Sequence, residues 1–320
     1  MVKTKPKPLR YFVKLILWVL LVQLLLINVS AALYAYKFTH FYNPPVPPPA
    51  SKNILQKTWT LFTGPKIYKM PPAGTAVFSF QQKTFLTNNN ILIDAWYAKT
   101  DTAKACVIFV HGYTANKTSL LPEATRFHNM GFNVLLFDLR GHGKSGGNSS
   151  FGMKETDELE KAIVFAGMQG NKQIILYGAS MGADIVLKAV SEKKIQPRAI
   201  ILDMPYASLH HHYQARARVI GFPAQPFAFF VTLWTGIENG YNGFSNNAIN
   251  FASKVTCPVL LQWGKEDEFV KKEEVDNIFN ALQSANKKLV VYEDAGHHAL
   301  AAVVPEQWQR EVNMFMKSLR

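Results

Sequence analysis

Ser180 stands in the run Gly178-Ala179-Ser180-Met181-Gly182, which closes the apolar stretch "QIILYG" and opens the helix-like "MGADIVLKAVSE". A serine hydroxyl is a weak nucleophile until a base takes its proton, and the base needs an acid to orient it. Both types follow downstream. "VLLQWGKEDEFV" offers Glu266, Asp267 and Glu268, and "VVYEDAGHHAL" offers His297 and His298. Serine, acid and histidine in that chain order is one of the known orders of a hydrolytic triad. A G-x-S-x-G sequence where a strand turns into a helix makes a sharp elbow that lifts the hydroxyl toward the helix N-terminus, where a developing oxyanion is favoured. The alternative use of Ser180, a small residue in a tight turn, employs the same glycines.

These residues need a scaffold that delivers them to one edge. "CVIFV" (106–110), "NVLLFDL" (133–139), "QIILYG" (173–178), "AIILDM" (199–204), "VLLQWG" (259–264) and "KLVVYE" (288–293) are strand-length apolar runs without clean alternation, as expected of strands covered on both faces. Helical patterns separate them at about 119–130, 154–168, 181–192, 271–284 and 305–319. Alternating strands and helices predict an α/β fold with a mostly parallel sheet and helices on both faces. "VFSFQQ" and "ILIDAWYA", around the turn-prone "TNNN", predict an antiparallel pair at its start. More than fifty residues, rich in aromatics and prolines, separate "AIILDM" from "VLLQWG". An excursion of that length predicts a cap, placed at about 205–250.

Four blocks together resemble the α/β-hydrolase superfamily, and within it the lysophospholipase and monoglyceride lipase-like serine hydrolases: "VIFVHGYTAN", "NVLLFDLRGHGKSGG", "YGASMGA", and "CPVLLQWGKEDEFV" with "DAGHHAL". The resemblance implies an eight-stranded α/β-hydrolase fold with a small helical cap. It places the acid on Asp267, through Gly264-Lys265-Glu266-Asp267, and the base on His297. It implies backbone oxyanion donors at Met181 and Tyr113, and structural roles for His111 and His142. No metal or organic cofactor is required by such chemistry. "RGHGKSGG" does not meet the phosphate-loop spacing G-x-x-x-x-G-K-[ST]. "LHHHY" (209–213) has divergent histidines and no acidic partners at ligand spacing.

Ahead of this domain, residues 15–36 form an uncharged run of 22 residues, enough to span a membrane. Lys3, Lys5, Lys7, Arg10 and Lys14 precede it, which predicts residues 1–14 in the cytosol and the rest translocated to a periplasmic, extracellular or lumenal side. A signal peptide cleaved near Ala31 is the competing reading. "NPPVPPPA" (43–50) predicts a stiff polyproline spacer within a 37–70 linker, leaving 71–320 as the hydrolase domain. Those five basic residues carry part of the net charge of +13, the rest is spread over the remainder of the chain, and no basic block with interleaved aromatics follows, so nucleic acid is not expected as a partner. Cys106 and Cys257 each open an apolar run and read as buried thiols. The sequons at Asn116 and Asn148 are candidate glycosylation sites.

The expected function is cleavage of carboxylic esters by an acyl-enzyme mechanism on a small-molecule or lipid ester at a membrane. A peptidase, acyltransferase or thioesterase would use the same triad, and a non-catalytic binding module would keep only the fold. Phe222, Phe227, Phe229, Phe230, Leu233 and Trp234 would either line an acyl pocket or pack the cap onto the core.

Overall fold

A computed structural model describes residues 8–43, 53–72, 74–101, 103, 105–193 and 195–319; the basic residues before Pro8 and the proline run from 44 lie outside them. The chain begins with two helices, α1 (Pro8–Thr39) and α2 (Ile54–Thr63), followed by a hairpin of β1 (Gln81–Leu86) and β2 (Leu92–Ala98). Alternation then takes over: β3 (Cys106–Val110), α3 (Leu121–Asn129), β4 (Asn133–Phe137), α4 (Thr156–Met168), β5 (Ile174–Ala179), α5 (Met181–Glu192) and β6 (Ala199–Asp203). The cap follows as α6 (Leu209–Val219), α7 (Phe227–Asn239) and α8 (Ala248–Ala252). β7 (Val259–Gly264), α9 (Lys272–Ala281), β8 (Lys287–Tyr292), α10 (Leu300–Val303) and α11 (Pro305–Ser318) complete the domain.

The eight strands lie in the order β1-β2-β4-β3-β5-β6-β7-β8, with β2 antiparallel to both neighbours and the rest parallel. This is the mostly parallel sheet that the apolar runs predict. Every residue of β3, β4, β6 and β7 is buried, because helices cover both faces. After β3 the chain builds β4 on one side and then crosses to place β5 on the other. The carboxyl ends of β3 and β5 therefore flank a point where the winding reverses, the usual crevice for a ligand in such sheets.

Three differences from the sequence reading are structural. The first strand covers Gln81–Leu86 rather than 77–82, because Phe85 is the residue that turns inward, against Phe137 and Phe165. Asn116 is buried, its amide donating to the Met70 and Pro71 carbonyls at 3.0 Å, so that sequon is closed to a glycan. The apolar helix does not end at Tyr36. It runs to Thr39 and buries Ala31, Tyr34, Ala35 and Phe38 against the cap. Those four are spaced i, i+3, i+4, i+7, one face of a helix. Phe227 of α7 meets Tyr34 edge-on at 4.9 Å, Phe38 stacks on Tyr213 at 5.8 Å, and the Trp234 indole donates to Asn28.

α2 is fastened to the same helix. Its N-terminus carries a capping box, with Asn53 and Gln56 bonding reciprocally at 2.9 and 3.1 Å. At its other end the orphan carbonyls are taken up by α1: Tyr34 donates to Leu61 O at 2.7 Å, Ser30 to Phe62 O at 2.6 Å and Lys37 to Gly64 O at 2.7 Å. Along Leu9–Leu26, by contrast, the large apolar side chains of α1 are exposed, and α1 is long and apolar enough to cross a membrane.

Candidate active site

The turn between β5 and α5 places Ser180 at φ 53°, ψ −119°, a strained conformation for a residue with a side chain, costing roughly 1–3 kcal/mol. Its two glycines have a measurable reason. A Cβ on Gly178 would sit 2.4 Å from Gly182 O, and one on Gly182 would sit 2.0 Å from Val110 O. The elbow is thus wedged directly onto β3. The Ser180 amide donates to Asp203 O at 2.7 Å, locking the turn to β6.

Asp267 and His297 come from the loops after β7 and β8. Gly264 brings these loops together: a Cβ there would be 2.3 Å from Ala295 O. Glu266 N also donates to Ala295 O at 2.9 Å. The Asp267 side chain is fully buried; its Oδ1 accepts from the amides of Phe269 and Val270 at 2.8 and 2.9 Å. Its Oδ2 accepts from His297 Nδ1 at 2.7 Å, and His297 Nε2 lies 2.9 Å from Ser180 Oγ. With Nδ1 donating, Nε2 is left to accept the serine proton. Glu266, Glu268 and His298 are exposed, and none of them bonds to Ser180 or His297 among the described residues.

The loop after β3 passes beside Ser180. A Cβ on Gly112 would lie 3.3 Å from Ala179 O and from Ser180 Cβ, so the Gly112–Tyr113 backbone brushes the serine. Among the described residues no backbone acceptor pairs with the amides of Tyr113 or Met181. His111 holds this loop: Nε2 accepts from Leu139 N at 3.0 Å and Nδ1 donates to Gly112 O at 2.8 Å. Burial keeps that imidazole neutral by lowering its pKa. His142 is buried on Phe41, its Nδ1 bonded to Arg140 O. The Tyr113 phenol lines a cavity over Ser180. It donates to Phe38 O at 2.8 Å and stacks on Phe151.

A cavity of about 170 Å³ opens over the serine, lined by Ser180, His297, Tyr113, Phe269 and the cap residues Tyr206, His212 and Arg216 among others. A larger groove of about 790 Å³ sits at the opposite, N-terminal ends of β3 to β5, with Lys99 and Gln173 on its rim and no serine nucleophile. None of the six cap aromatic and leucine positions singled out from sequence lines the cavity over Ser180. Phe227 and Trp234 serve the contact with α1 instead.

Sequence reasoning missed the cap's contribution. The three histidines of α6 diverge: His211 bonds Ser208, His210 reaches Gln214 and Gln225, and His212 turns into the cavity. One helical turn on from His212, Arg216 donates from Nε to His212 Nε2 at 2.7 Å and lies 4.4 Å over the Tyr113 ring. His212 is held well below the ordinary histidine range by burial, with Arg216 and His297 adding to the effect. The i, i+4 spacing of His212 and Arg216 on a cap helix was the available signal.

Comparison with known proteins follows the same lines. Residues 101–236 match a family model described as serine aminopeptidase, S33, and residues 236–314 match the dienelactone hydrolase family. An uncharacterized Bacillus subtilis protein, YqkD, is 29% identical over 204 residues, 61% of this chain and 65% of that protein, so the match spans slightly under two thirds of the relative. A monoacylglycerol lipase of Mycolicibacterium smegmatis is 24% identical over 250 residues, 68% of this chain and 88% of the lipase. The structure of a Pyrococcus furiosus esterase superposes with a TM-score of 0.65 at 27% identity, covering 78% of this chain and 97% of the esterase.

Proposed function

We propose that this chain, which has the α/β-hydrolase fold of lipase-like enzymes, is a membrane-tethered serine hydrolase that cleaves carboxylic esters. The observation that carries the reading is the relay from Ser180 Oγ through His297 (2.9 Å) to the buried Asp267 (2.7 Å). In it, His297 Nε2 takes the serine proton as Oγ attacks the ester carbonyl, and Asp267 stabilises the imidazolium. The amides of Met181 and Tyr113 receive the oxyanion, each such donor contributing about 10²–10³-fold in rate. His297 then protonates the leaving alcohol and activates the water that clears the acyl-enzyme. The esterase and lipase likenesses support an ester as substrate.

For the tether, the exposed apolar part of α1 supplies the length, and the basic residues that flank it favour a cytosolic N-terminus. Because residues 30–39 are clasped by the domain, the lipid-facing part is the N-terminal two thirds of α1 rather than 15–36. α2 exposes Ile54, Leu55, Trp59 and Leu61 beside the point where α1 enters the protein, a composition suited to the membrane interface. Ala31 is fully buried in that contact, which supports an uncleaved anchor; the mass of the mature N-terminus tests it, a chain starting at Ala32 being the contrary result.

The enzymatic reading is tested with the full chain in detergent on p-nitrophenyl esters of graded chain length, beside peptide and thioester analogues. Asp267→Asn is expected to lower kcat by about 10⁴-fold, as the loss of the orienting acid does in other triads. Hydrolysis unaffected by that change, or confined to peptides, contradicts the proposal.

A further inference from the structure

The cavity over Ser180 holds a cation that the hydrolytic relay does not use. Among the described residues only Nε of the Arg216 guanidinium is engaged in hydrogen bonding, donating to His212 at 2.7 Å. No carboxylate lies within ion-pair distance of Arg216 among the described residues. The residues lining the cavity include no aspartate or glutamate at all. His212 meets the guanidinium with an accepting Nε2, which supplies a hydrogen bond but no negative charge.

A second donor points the same way. Tyr206 lines the same cavity and is 2% exposed, yet its hydroxyl has no hydrogen-bond partner among the described residues. Leaving a buried hydroxyl unpaired costs about 1–3 kcal/mol, and the half-buried Arg216 guanidinium has no anion beside it among the described residues. Two such groups on one wall, in a space of about 170 Å³ shared with the nucleophile, are what a small, oxygen-rich anion satisfies: the guanidinium fork by two parallel hydrogen bonds and the phenol by one.

We propose that Arg216 and Tyr206 form an anion subsite, and that the substrate is an ester bearing a carboxylate or phosphate within a few atoms of the scissile carbonyl. This rests on the serine hydrolase reading and names its substrate class. The chemistry is shared by a short dicarboxylic monoester and by a glycerol ester carrying a phosphate headgroup. In either, the anion on Arg216 fixes the carbonyl over Ser180, so the subsite acts through binding and orientation. The ring of Tyr113, beneath the guanidinium at 4.4 Å, braces it from the other side.

The test uses the full chain in detergent with two matched pairs: p-nitrophenyl hydrogen glutarate against its methyl ester, and 1-acylglycerol 3-phosphate against 1-monoacylglycerol. Labelling by a fluorophosphonate reports separately whether Ser180 is reactive. In the unmodified protein kcat/KM for the anionic member should exceed that of the neutral one by 10-fold or more in at least one pair, and which pair it is distinguishes the two sources. Arg216→Met should bring that ratio to about one, mainly through KM. Arg216→Lys should retain part of it, and Tyr206→Phe should lower it by about 3–10-fold. A ratio near one in the unmodified protein, or a ratio that survives both Arg216→Met and Tyr206→Phe, overturns the subsite. So does a protein that is labelled but cleaves neither member of either pair. If Arg216→Met fails to fold, Tyr206→Phe, which removes one oxygen, decides alone. Absence of labelling in the unmodified protein instead counts against the serine hydrolase reading itself.

Discussion

Two regions of this molecule are held together in opposite ways. At the sheet edge that carries Ser180, Asp267 and His297, position is set by backbone: a residue at φ 53°, glycines whose Cβ would land 2.0–2.4 Å from carbonyl oxygens, and a carboxylate fixed by two amides. At the junction between α1 and the cap, position is set by side-chain burial of Ala31, Tyr34, Ala35 and Phe38, with a few hydrogen bonds to the end of α2. The first kind of region fails all at once in function when one atom is removed. The second fails by degrees in stability.

The largest contrast should come from Ser180→Ala. Ester hydrolysis is expected to fall by roughly 10⁴-fold or more, while the melting temperature stays within about 2 °C, since alanine bears the same backbone strain. A large loss of stability would erase the distinction. At the junction, Tyr34→Ala should do the reverse. It removes a buried ring and its bond to Leu61 O, costing about 3 kcal/mol. Chemical denaturation should register that loss, with fluorophosphonate labelling at 20 °C unchanged. The junction also argues against producing the domain from residue 51 onward. Without α1 the faces of Phe227 and Tyr213 that meet Tyr34 and Phe38 are uncovered.

A third measurement asks whether the site side carries a titrating group that the junction lacks. Glu123, in the first turn of α3, accepts from Ala301 N below the His297 loop, and burial raises its pKa to about 7. Its unfolded value is about 4.3. Between those values the native state holds a proton that the unfolded state has released, so stability falls as pH rises from about 4.5 to 7. Glu123→Gln should flatten that decline by on the order of 3 kcal/mol, read as the difference in denaturation midpoints at the two pH values. An identical slope in both proteins would remove Glu123 from this role.

The smallest effect belongs to the residue that joins the two regions. Tyr113 follows Gly112 in the loop beside Ser180 and donates its hydroxyl to Phe38 O of α1, at 2.8 Å. Tyr113→Phe keeps the amide and loses the bond, so a stability loss of about 1 kcal/mol is expected. The rate should change little, and a fall in kcat beyond about 3-fold would mean that α1 helps to set the site.

The difference between the regions also explains what could be read from the chain. The elbow was legible because Gly178, Ser180 and Gly182 must be close in sequence to make a strand-to-helix turn, and because Asp267 and His297 each follow shortly after a strand. Chain order and strand ends were enough to bring the three side chains to one edge. The junction was hidden because its buried stripe lies inside a run that is apolar on every side, where periodicity cannot separate lipid from protein. The cap was hidden for another reason. His212, Arg216 and Tyr206 converge on the cavity only through the path of β6 and α6, while Phe227 and Trp234, two of the aromatics that drew notice, face α1.

The most direct test of Ser180 as nucleophile is to react the full-length protein with a fluorophosphonate and map the adduct by peptide mass spectrometry. The expected result is a single adduct on Ser180, absent from Ser180→Ala and formed at least 100-fold more slowly in His297→Ala. An adduct on another residue, or labelling that is indifferent to His297, would contradict the relay.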